Sequence, residues 1–351
     1  MLDIVQKWFN RYLFEEEALI LLLLIVFGLV IVITMGGVFA PIIAAIILAY
    51  LIEGMTDKLI NYGVRESLAV WLTFTVFIGT FFAVMFVLLP MAWKQMGNLF
   101  VELPGMVKRL QTVLIVLPEQ YPAIFSELQI QKFTKLAEAE LGGVGQYILS
   151  FSLARIPNLV AALIYLILVP ILVFFFLKDR QLIISWVTGF LPKERPLLRR
   201  IAEEMNQQIS NYARGKALEI FLVGIVTYVA FVWMGLNYAA LLALLVGLSV
   251  LIPYIGAAVV TLPVALIAFF QWGWGSEFFY LLLVYGVVQA LDGNVLVPLL
   301  FSEAVNLHPV AIILSVLVFG GFWGLWGVFF AIPLATLVKA VINAWPVPET
   351  A

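Results

Sequence analysis

The chain has 351 residues, of which 64% are hydrophobic and only 11% are charged, and its formal net charge is −2. Soluble domains carry about 25% charged residues, so this composition excludes an ordinary soluble protein and indicates a polytopic membrane protein. There is no cysteine and His308 is the only histidine, which excludes disulfides, thiolate metal sites and His-rich centres. The slightly acidic balance offers no basic surface for nucleic acid. We expect no cofactor and no metal.

The N-terminal region predicts a retained membrane segment and not a cleaved signal peptide. Its apolar run begins after Glu15-Glu16-Glu17 and continues well beyond the 7–15 residues of a signal-peptide core. Residues 18–52 carry no charge, which is too long for one crossing of a bilayer. Gly36-Gly37 and Pro41 therefore predict a turn between two short helices.

Apolar runs of about 20 residues predict about eight membrane segments along the chain. They lie near 18–34, 38–53, 67–93, 156–177, 217–235, 238–271, 277–300 and 308–342. Gly235-Leu236-Asn237 predicts the turn between the fifth and sixth segments, and the first, second and last segments are candidates for re-entrant helices. The predicted fold class is all-α: a polytopic transmembrane helical protein with broken helices and a small extramembrane helical domain.

Polar stretches divide the chain into five regions. These are N-terminal membrane segments at 1–93, an extracytoplasmic helical domain at 94–155, membrane segment 4 at 156–177, cytoplasmic basic amphipathic helices at 178–216, and a C-terminal membrane block at 217–345. Prolines at 104, 118 and 122 punctuate the extracytoplasmic domain. The positive-inside rule favours a cytoplasmic N-terminus, which places 13 of the 19 basic residues inside and 6 outside.

The most informative stretch is the seventh segment, in which polar residues and helix breakers interrupt an apolar run: Gln289, Asp292, Gly293, Asn294 and Pro298. An aspartate at the centre of a membrane helix costs about 2.5–3.5 kcal/mol on insertion scales, so it is retained only where protein or water surrounds it. We predict that Asp292 binds a cation or carries a proton, with Gln289 and Asn294 as polar neighbours. The alternative is that Asp292 lies near a membrane interface or caps a helix start.

A second interruption lies in the sixth segment, at Pro253, Tyr254 and Gly256. Proline removes a backbone donor and clashes with the preceding turn, so we expect a kink or a break here. A simple kink in a packed helix is one interpretation. The other is a discontinuous helix that lines a site, because two interrupted hydrophobic segments are typical of transporters that bind their substrate near the midplane.

Two further polar positions have a structural and a functional interpretation. Glu219 opens the fifth segment beside Lys216, which indicates an interfacial ion pair or, alternatively, a residue of the transport site. His308, followed by Pro309, predicts a turn or a helix start, and a proton relay with Asp292 is the alternative.

A glycine-rich run near the C-terminus predicts close helix packing or a subunit contact. Its members are Gly320, Gly321, Gly324 and Gly327. The chain contains no Walker A sequence, no dinucleotide-binding glycine fingerprint and no HExxH, so we expect neither ATP-driven transport by this chain alone nor an enzyme.

These motifs resemble the autoinducer-2 exporter family of bacterial membrane proteins, and the resemblance covers most of the chain. Its strongest parts are Pro253-Tyr-Ile-Gly256, Asp292-Gly-Asn-Val-Leu-Val-Pro298, Leu307-His-Pro309 and Gly324-Leu-Trp-Gly327. The last sixty residues are particularly similar to the PerM-type permeases of gammaproteobacteria. Members of the family often have Glu at the position of Asp292, and Gly-Gln where this chain has Gly215-Lys216.

The resemblance implies a permease of the bacterial inner membrane with about eight spans. It implies a homo-oligomer, with a pentamer among the expected forms. Some members are associated with export of a quorum-sensing signal and others with sodium(lithium)/proton antiport. We therefore expect a secondary permease or exporter of a small solute or signalling molecule, coupled to protons or Na⁺ through Asp292. The alternatives are a cation/proton antiporter and a membrane scaffold or regulator that acts through the 94–155 domain.

Overall fold

A computed structural model of the protein describes residues 16–120, 132, 156–253, 255–301 and 307–344. These residues form twelve α-helices and two π-helical turns, and no β-strand is found among them. The helices are α1 (Glu16–Asn61), α2 (Glu66–Ala83), α3 (Leu89–Gln120), α4 (Ile156–Lys178), α5 (Arg180–Thr188), α6 (Pro196–Trp233), α7 (Ala239–Ser249), α8 (Ile255–Trp272), α9 (Ser276–Leu291), α10 (Val297–Phe301), α11 (Pro309–Phe329) and α12 (Ala331–Ala344). The predicted all-α, polytopic fold class is confirmed.

Five helices of the described chain are long and apolar enough to cross a membrane, and five shorter apolar helices accompany them. The long ones are Val38–Asn61, Glu66–Met106, Pro196–Trp233, Ile255–Trp272 and Ser276–Phe301. Two predicted regions merge in the structure, because α6 joins the basic amphipathic segment and the fifth membrane segment into one helix. Likewise α3 continues past residue 94 and Pro104 to Gln120, so the predicted extracytoplasmic domain begins within a helix.

The predicted turn near Gly36-Gly37 is wrong, because α1 is helical throughout and includes Pro41. A backbone that stays helical keeps all its hydrogen bonds internal, which a turn exposed to lipid would not. The prediction of two separate short helices at 18–34 and 38–53 is therefore corrected to one helix of 46 residues.

Two contacts with α6 show that α1 is nevertheless bent. The Glu17 carboxylate accepts a hydrogen bond from the Leu197 backbone N–H at 2.9 Å, and the Tyr50 hydroxyl donates to Asn206 at 2.7 Å. A straight helix would separate Glu17 from Tyr50 by about 50 Å, whereas Leu197 and Asn206 lie only about 14 Å apart along α6. The bend must lie between these contacts, where a glycine pair and a proline occur, the usual causes of kinks.

The predicted interruption of the sixth segment is a complete break. Helix α7 ends at Ser249, helix α8 begins at Ile255, and the four described residues between them are not helical. The side chain of Gln271, near the end of α8, accepts from Asn237 N–H and donates to Gly235 C=O, just before the start of α7. The two helices are therefore antiparallel and form a hairpin whose tip is Val250–Pro253.

Glycine permits the tight reversal at the hairpin tip. A Cβ atom on Gly256 would lie 1.7 Å from the Ser249 carbonyl oxygen, so only glycine can occupy that position. The tip satisfies its own backbone donors, since Ile252 N–H donates to Ser249 C=O and Gly256 N–H donates to Ile252 C=O. Such local pairing is what allows an irregular backbone inside a bilayer. Pro253 and Gly256 thus lie at a break between two helices, and their role in shaping a site stays a prediction. Tyr254 lies outside the described residues.

The predicted break at Gly293 and Pro298 is wrong, because the seventh segment stays helical from Ser276 to Phe301. Instead, Asp292–Leu296 widens into a π-helical turn closed by a Val297 N–H···O=C Asp292 hydrogen bond. A proline clashes with the carbonyl four residues earlier, and the wide turn moves that carbonyl out of the way.

A second π-helical turn that precedes a proline occurs in the described chain. The π-helical turn Val84–Leu88 precedes Pro90 by the same spacing, and its closing bond runs from Leu89 N–H to Val84 C=O. Both prolines therefore bend a helix that remains intact.

The predicted last segment, 308–342, is two antiparallel helices and not one span. Gly324 lies within the span of α11 and has φ 58° and ψ −135°, a backbone conformation for which glycine is suited. The chain reverses at this residue, and the returning arm continues into α12. A Cβ on Gly327 would lie 1.8 Å from the Phe319 carbonyl oxygen, and one on Gly320 would lie 2.8 Å from Val328, whereas Gly321 faces open space. The predicted packing role thus holds inside this hairpin for Gly320 and Gly327 and fails for Gly321.

Two predicted turns are confirmed by the helix ends. The α6–α7 connection contains Gly235 at φ 72° and lies between Trp233 and Ala239. His308 caps α11, since its Nδ1 accepts a hydrogen bond from Val310 N–H at 3.2 Å, and Pro309 occupies the first turn. The helix-start interpretation of His308 and Pro309 is therefore correct.

Substitution of Gly327 by alanine should destabilise the C-terminal hairpin strongly, because the added Cβ meets a backbone oxygen that cannot move aside. Gly321→Ala is the matched control in the same run; it meets no atom and should be neutral or stabilising by up to about 1 kcal/mol, since alanine favours a helix. Thermal unfolding of the purified protein in detergent measures both. Equal melting temperatures for the two variants would contradict the reversal at Gly324.

Candidate functional site

A buried ion pair lies in the middle of helix α6. Lys216 Nζ donates to Glu219 Oε2 at 2.7 Å, and the two residues are only 4% and 2% exposed. Their spacing of three places both side chains on one face of the helix. The predicted interfacial ion pair is therefore a pair in the protein interior, where each charge is stable only because of the other.

An aromatic ring closes one side of this pair. Lys216 Nζ lies 5.4 Å from the centroid of the Phe301 ring at the end of α10, close enough for a cation–π interaction. The ring can approach because Gly215 has no side chain; a Cβ there would lie 2.8 Å from the ring. Tyr212 packs on the other side of Phe301 and donates its hydroxyl to Phe329 C=O of α11. The two C-terminal elements therefore fix the position of the ammonium group.

Asp292 faces the ion pair from helix α9. It begins the second π-helical turn and interacts electrostatically with both Lys216 and Glu219. Its Oδ1 atom is buried and has no hydrogen-bond partner within the described chain. The Asp292 carboxylate is thus electrostatically coupled to the ion pair, and the combined charge of the three groups is −1 when all are ionised. The alternative in which Asp292 caps a helix start does not apply, because the helical segment continues through this residue.

The remaining residues predicted around Asp292 separate into two groups. Gln289, one turn earlier on α9, is partly buried. Its Nε2 atom makes no hydrogen bond of good geometry among the described residues, although the amide interacts with the Tyr285 hydroxyl. Asn294 points away: its exposed amide donates to Ala290 C=O on the same helix. Gly293 and Pro298 contribute to the π-helical turn and do not reach the ion pair.

Helices α6 and α9 are antiparallel across this site. The rings of Phe231 and Tyr285 lie 6.1 Å apart near one end, and Gly215 meets Phe301 near the other. Polar side chains follow the interface between these ends: Lys216, Glu219 and Thr227 on α6, and Asp292, Gln289 and Tyr285 on α9. Thr261 of α8 extends the row, because its hydroxyl lies 3.3 Å from that of Tyr285.

The hairpin tip and the π-helical turn share one apolar cluster. Val250 of the tip belongs to it, together with Val223 of α6, and Leu296 of the π-helical turn packs against it. Helix α7 reaches this level by close contact with α6, where Gly247 lies against Gly224. The two sequence interruptions therefore meet around the same part of α6, although only one of them breaks a helix.

Thr227, Tyr285 and Thr261 were not among the site residues predicted from the sequence. Lys216 was assigned to the basic amphipathic region 178–216. Helical spacing alone indicates that Lys216, Glu219 and Thr227 lie on one face of α6. Tyr285, Gln289 and Asp292 follow the same rule on α9. The predicted boundary at residue 216 obscured this pattern by dividing one helix into two regions.

Two clefts open at opposite ends of the helical block. One, of about 660 Å³, is lined by the ends of α1 and α4 and by the starts of α2 and α5, and includes Glu53 paired with Arg180. The other, of about 330 Å³, lies between α3 and the end of α8 and includes Glu102 and Gln271. Within the described residues no group of three or more His, Cys, Asp or Glu is placed to hold a metal ion. His308 is exposed and engaged as a cap.

A multi-pass bundle of apolar helices with an ionisable cluster in its interior is the construction of a membrane transport protein. A family model described as AI-2E family transporter matches residues 19–347. The chain belongs to this family of transport proteins, and the resemblance derived from its motifs is confirmed.

Similar proteins occur in distant bacteria. The chain is 48% identical over 346 residues to a protein of Escherichia coli (strain K12) provisionally named permease PerM, with 99% of this chain and 98% of that protein covered. It is 26% identical over 317 residues to a protein of Bacillus subtilis (strain 168) provisionally named transport protein YueF, with 88% and 84% covered. These matches support a general transport role over the full length of the chain.

Removal of one partner of the buried ion pair should destabilise the protein strongly. We expect Lys216→Met or Glu219→Gln alone to cost about 3–5 kcal/mol, because each leaves a charge or a polar group unpaired in the interior. The double variant should recover most of this loss. Arg199→Met, which breaks the exposed pair Arg199–Glu203 on the same helix, should leave the stability nearly unchanged, because solvent screens this pair.

Denaturant unfolding in detergent micelles measures these four variants. Coupling between Lys216 and Glu219 is the difference between the double variant and the two single ones. Strictly additive single effects would show that the two groups do not depend on each other.

Proposed function

We propose that this protein is a secondary permease that moves a small polar solute or signalling molecule across the bacterial inner membrane, coupled to protons or Na⁺ at Asp292. The observation that carries the proposal is the partly buried Asp292 carboxylate, whose buried Oδ1 has no hydrogen-bond partner in the described chain, beside the buried Lys216–Glu219 pair. A buried charge without a fixed partner is costly, so its retention favours a role that needs it free.

The charge balance of the site provides a coupling mechanism. Lys216 is already paired with Glu219, so the negative charge of Asp292 is not compensated by that ammonium group alone. A proton or a monovalent cation at Asp292 would make the cluster neutral. Neutral and charged forms of the cluster would then favour different helix arrangements, which is how an ion gradient can drive a solute.

Two structural features suit movement around this cluster. The hairpin of α7 and α8 is joined to α6 by the short connection at Gly235, and its tip Val250–Pro253 lies at the level of the site. The π-helical turn at Asp292 has a wider and weaker hydrogen-bond pattern than an α-helix. A shift of either element would change the surroundings of Asp292 without breaking a helix.

A cation/proton antiporter is the second candidate, and the same cluster supports it. Two carboxylates near one ammonium group can exchange a proton for a cation without any organic solute. The two functions differ in whether a solute is needed for ion flux. A scaffold that acts through residues 94–155 is the alternative from another class, and it predicts that Asp292 is dispensable.

The cellular arrangement follows from charge and from the family. We propose a cytoplasmic N-terminus, because loops 54–66 and 178–216 carry most basic residues and line the same cleft. We also propose a homo-oligomer in the lipid bilayer, the pentamer being one form to test, with a small solute, Na⁺ or H⁺ as its only other partner.

Asp292→Asn should abolish coupling while the protein still folds, because the amide keeps the shape and removes the charge. We expect the gradient-driven flux in proteoliposomes to fall at least about tenfold, since one interaction with a charged group contributes roughly 1.5–3 kcal/mol. Glu277→Gln, which removes an exposed carboxylate at the other end of α9, is the matched control and should transport normally.

The flux assay uses imposed proton and Na⁺ gradients and a panel of small polar solutes. Ion flux without any solute would favour the antiporter. Wild-type flux in Asp292→Asn would refute coupling through this residue. If the wild-type protein moves no ion and no solute, and deletion of 94–155 alone removes its cellular effect, the scaffold is correct.

A further inference from the structure

Three buried polar atoms that make no hydrogen bond of good geometry in the described chain lie along the same helix interface: Thr227 Oγ1, Gln289 Nε2 and Asp292 Oδ1. Of these, the Gln289 amide interacts with the Tyr285 hydroxyl at longer range. Thr227 is only 1% exposed, and the usual hydroxyl bond to the preceding turn of its own helix is not made. Eight other described threonines in helices do make such a bond, among them Thr75 to Trp71 C=O at 2.8 Å. A buried hydroxyl that gives up this bond requires another partner.

The register of α6 and α9 places Thr227 opposite Gln289. Phe231 lies against Tyr285, and Thr227 precedes Phe231 by four residues while Gln289 follows Tyr285 by four. Because the helices are antiparallel, both steps lead about 6 Å in the same direction, so the two unpartnered groups share one level. Asp292 follows less than one turn further along, toward Lys216 and Glu219.

We propose that Thr227, Gln289 and Asp292 form a binding subsite for a small monovalent cation held by oxygen atoms, either an alkali ion or a hydronium. A hydroxyl, an amide oxygen and a carboxylate are the ligands that a hard cation prefers. The oxygen and nitrogen atoms of a side-chain amide exchange positions when the amide rotates by about 180°, so Gln289 can present its oxygen at the position of Nε2. The carboxylate supplies the single negative charge that a monovalent ion neutralises.

The subsite differs from the ion pair in its chemistry. Lys216 cannot take part, because its ammonium group repels a cation and is held by Glu219 and by the Phe301 ring. The charged groups that act on Asp292 are the Lys216 ammonium and the Glu219 carboxylate, while Thr227 and Gln289 lie less than one turn further along the interface. Tyr285 and Thr261 continue the polar row beyond Gln289.

This inference rests on the proposed coupling at Asp292, but it is tested by binding and not by transport. Thr227→Val removes the hydroxyl and keeps the volume, and Gln289→Met removes the amide and keeps the length. Thr75→Val is the matched control, since that exposed hydroxyl bonds only to its own helix. A failure of transport in the wild-type protein would leave the binding experiment unaffected.

The first measurement is the melting temperature of the purified protein as NaCl or LiCl replaces choline chloride at constant ionic strength. A bound ion raises the stability of the folded state in proportion to its occupancy. We expect one of the salts to stabilise the wild-type protein and Thr75→Val. The half-saturating concentration should rise about tenfold or more in Thr227→Val and Gln289→Met, as loss of one ligand to a charged group predicts.

The second measurement distinguishes a proton from an alkali ion. An infrared titration follows the carboxyl band that Asp292→Asn removes. If neither salt stabilises the protein, a shift of about one pH unit in the midpoint of this band in Thr227→Val and Gln289→Met identifies the hydronium form of the site. Wild-type behaviour of both variants in both measurements would overturn the subsite.

Discussion

A bilayer interior that tolerates no unpaired charge is the constraint on which this structure depends. Lys216 and Glu219 are almost wholly buried in the middle of α6, and they can be there only because their charged groups lie 2.7 Å apart. Phe301 covers the ammonium group, and Gly215 provides the space for its ring. The C-terminal helices therefore pack around this pair. Asp292 lies beside it, and its Oδ1 atom has no hydrogen-bond partner in the described chain.

The same constraint explains how the backbone tolerates its prolines. Pro90 and Pro298 each follow a π-helical turn at the same spacing, so the helix widens and continues without exposing its carbonyls to lipid. Pro253 is different, because the chain there reverses direction and the tip pairs its own backbone groups. A proline can thus produce either a widened turn or a reversal, and the surrounding glycines decide which. Gly256 against Ser249 makes the reversal possible.

For a transporter of the AI-2E family, this arrangement concentrates the ionisable chemistry and the adaptable backbone in one place. The hairpin tip, the π-helical turn and the ion pair all surround the middle of α6. Each can shift while the long helices remain intact, so occupancy of Asp292 can be linked to a change in helix arrangement. The polar row from Lys216 to Thr261 then lies along the interface that such a change would alter.

Composition and hydrophobic runs by themselves determined the all-α membrane fold and most helix positions, because these depend on local chemistry and on bilayer thickness. They also identified Asp292 as a candidate site residue. The motifs also identified the family. The sequence could not show that Gly36-Gly37 and Pro298 leave their helices unbroken, since the cost of a break depends on what surrounds it. Only the tertiary structure brought Lys216, Thr227 and Gln289 to the same interface as Asp292. Their partnership depends on the register between two antiparallel helices, and no local pattern encodes that register.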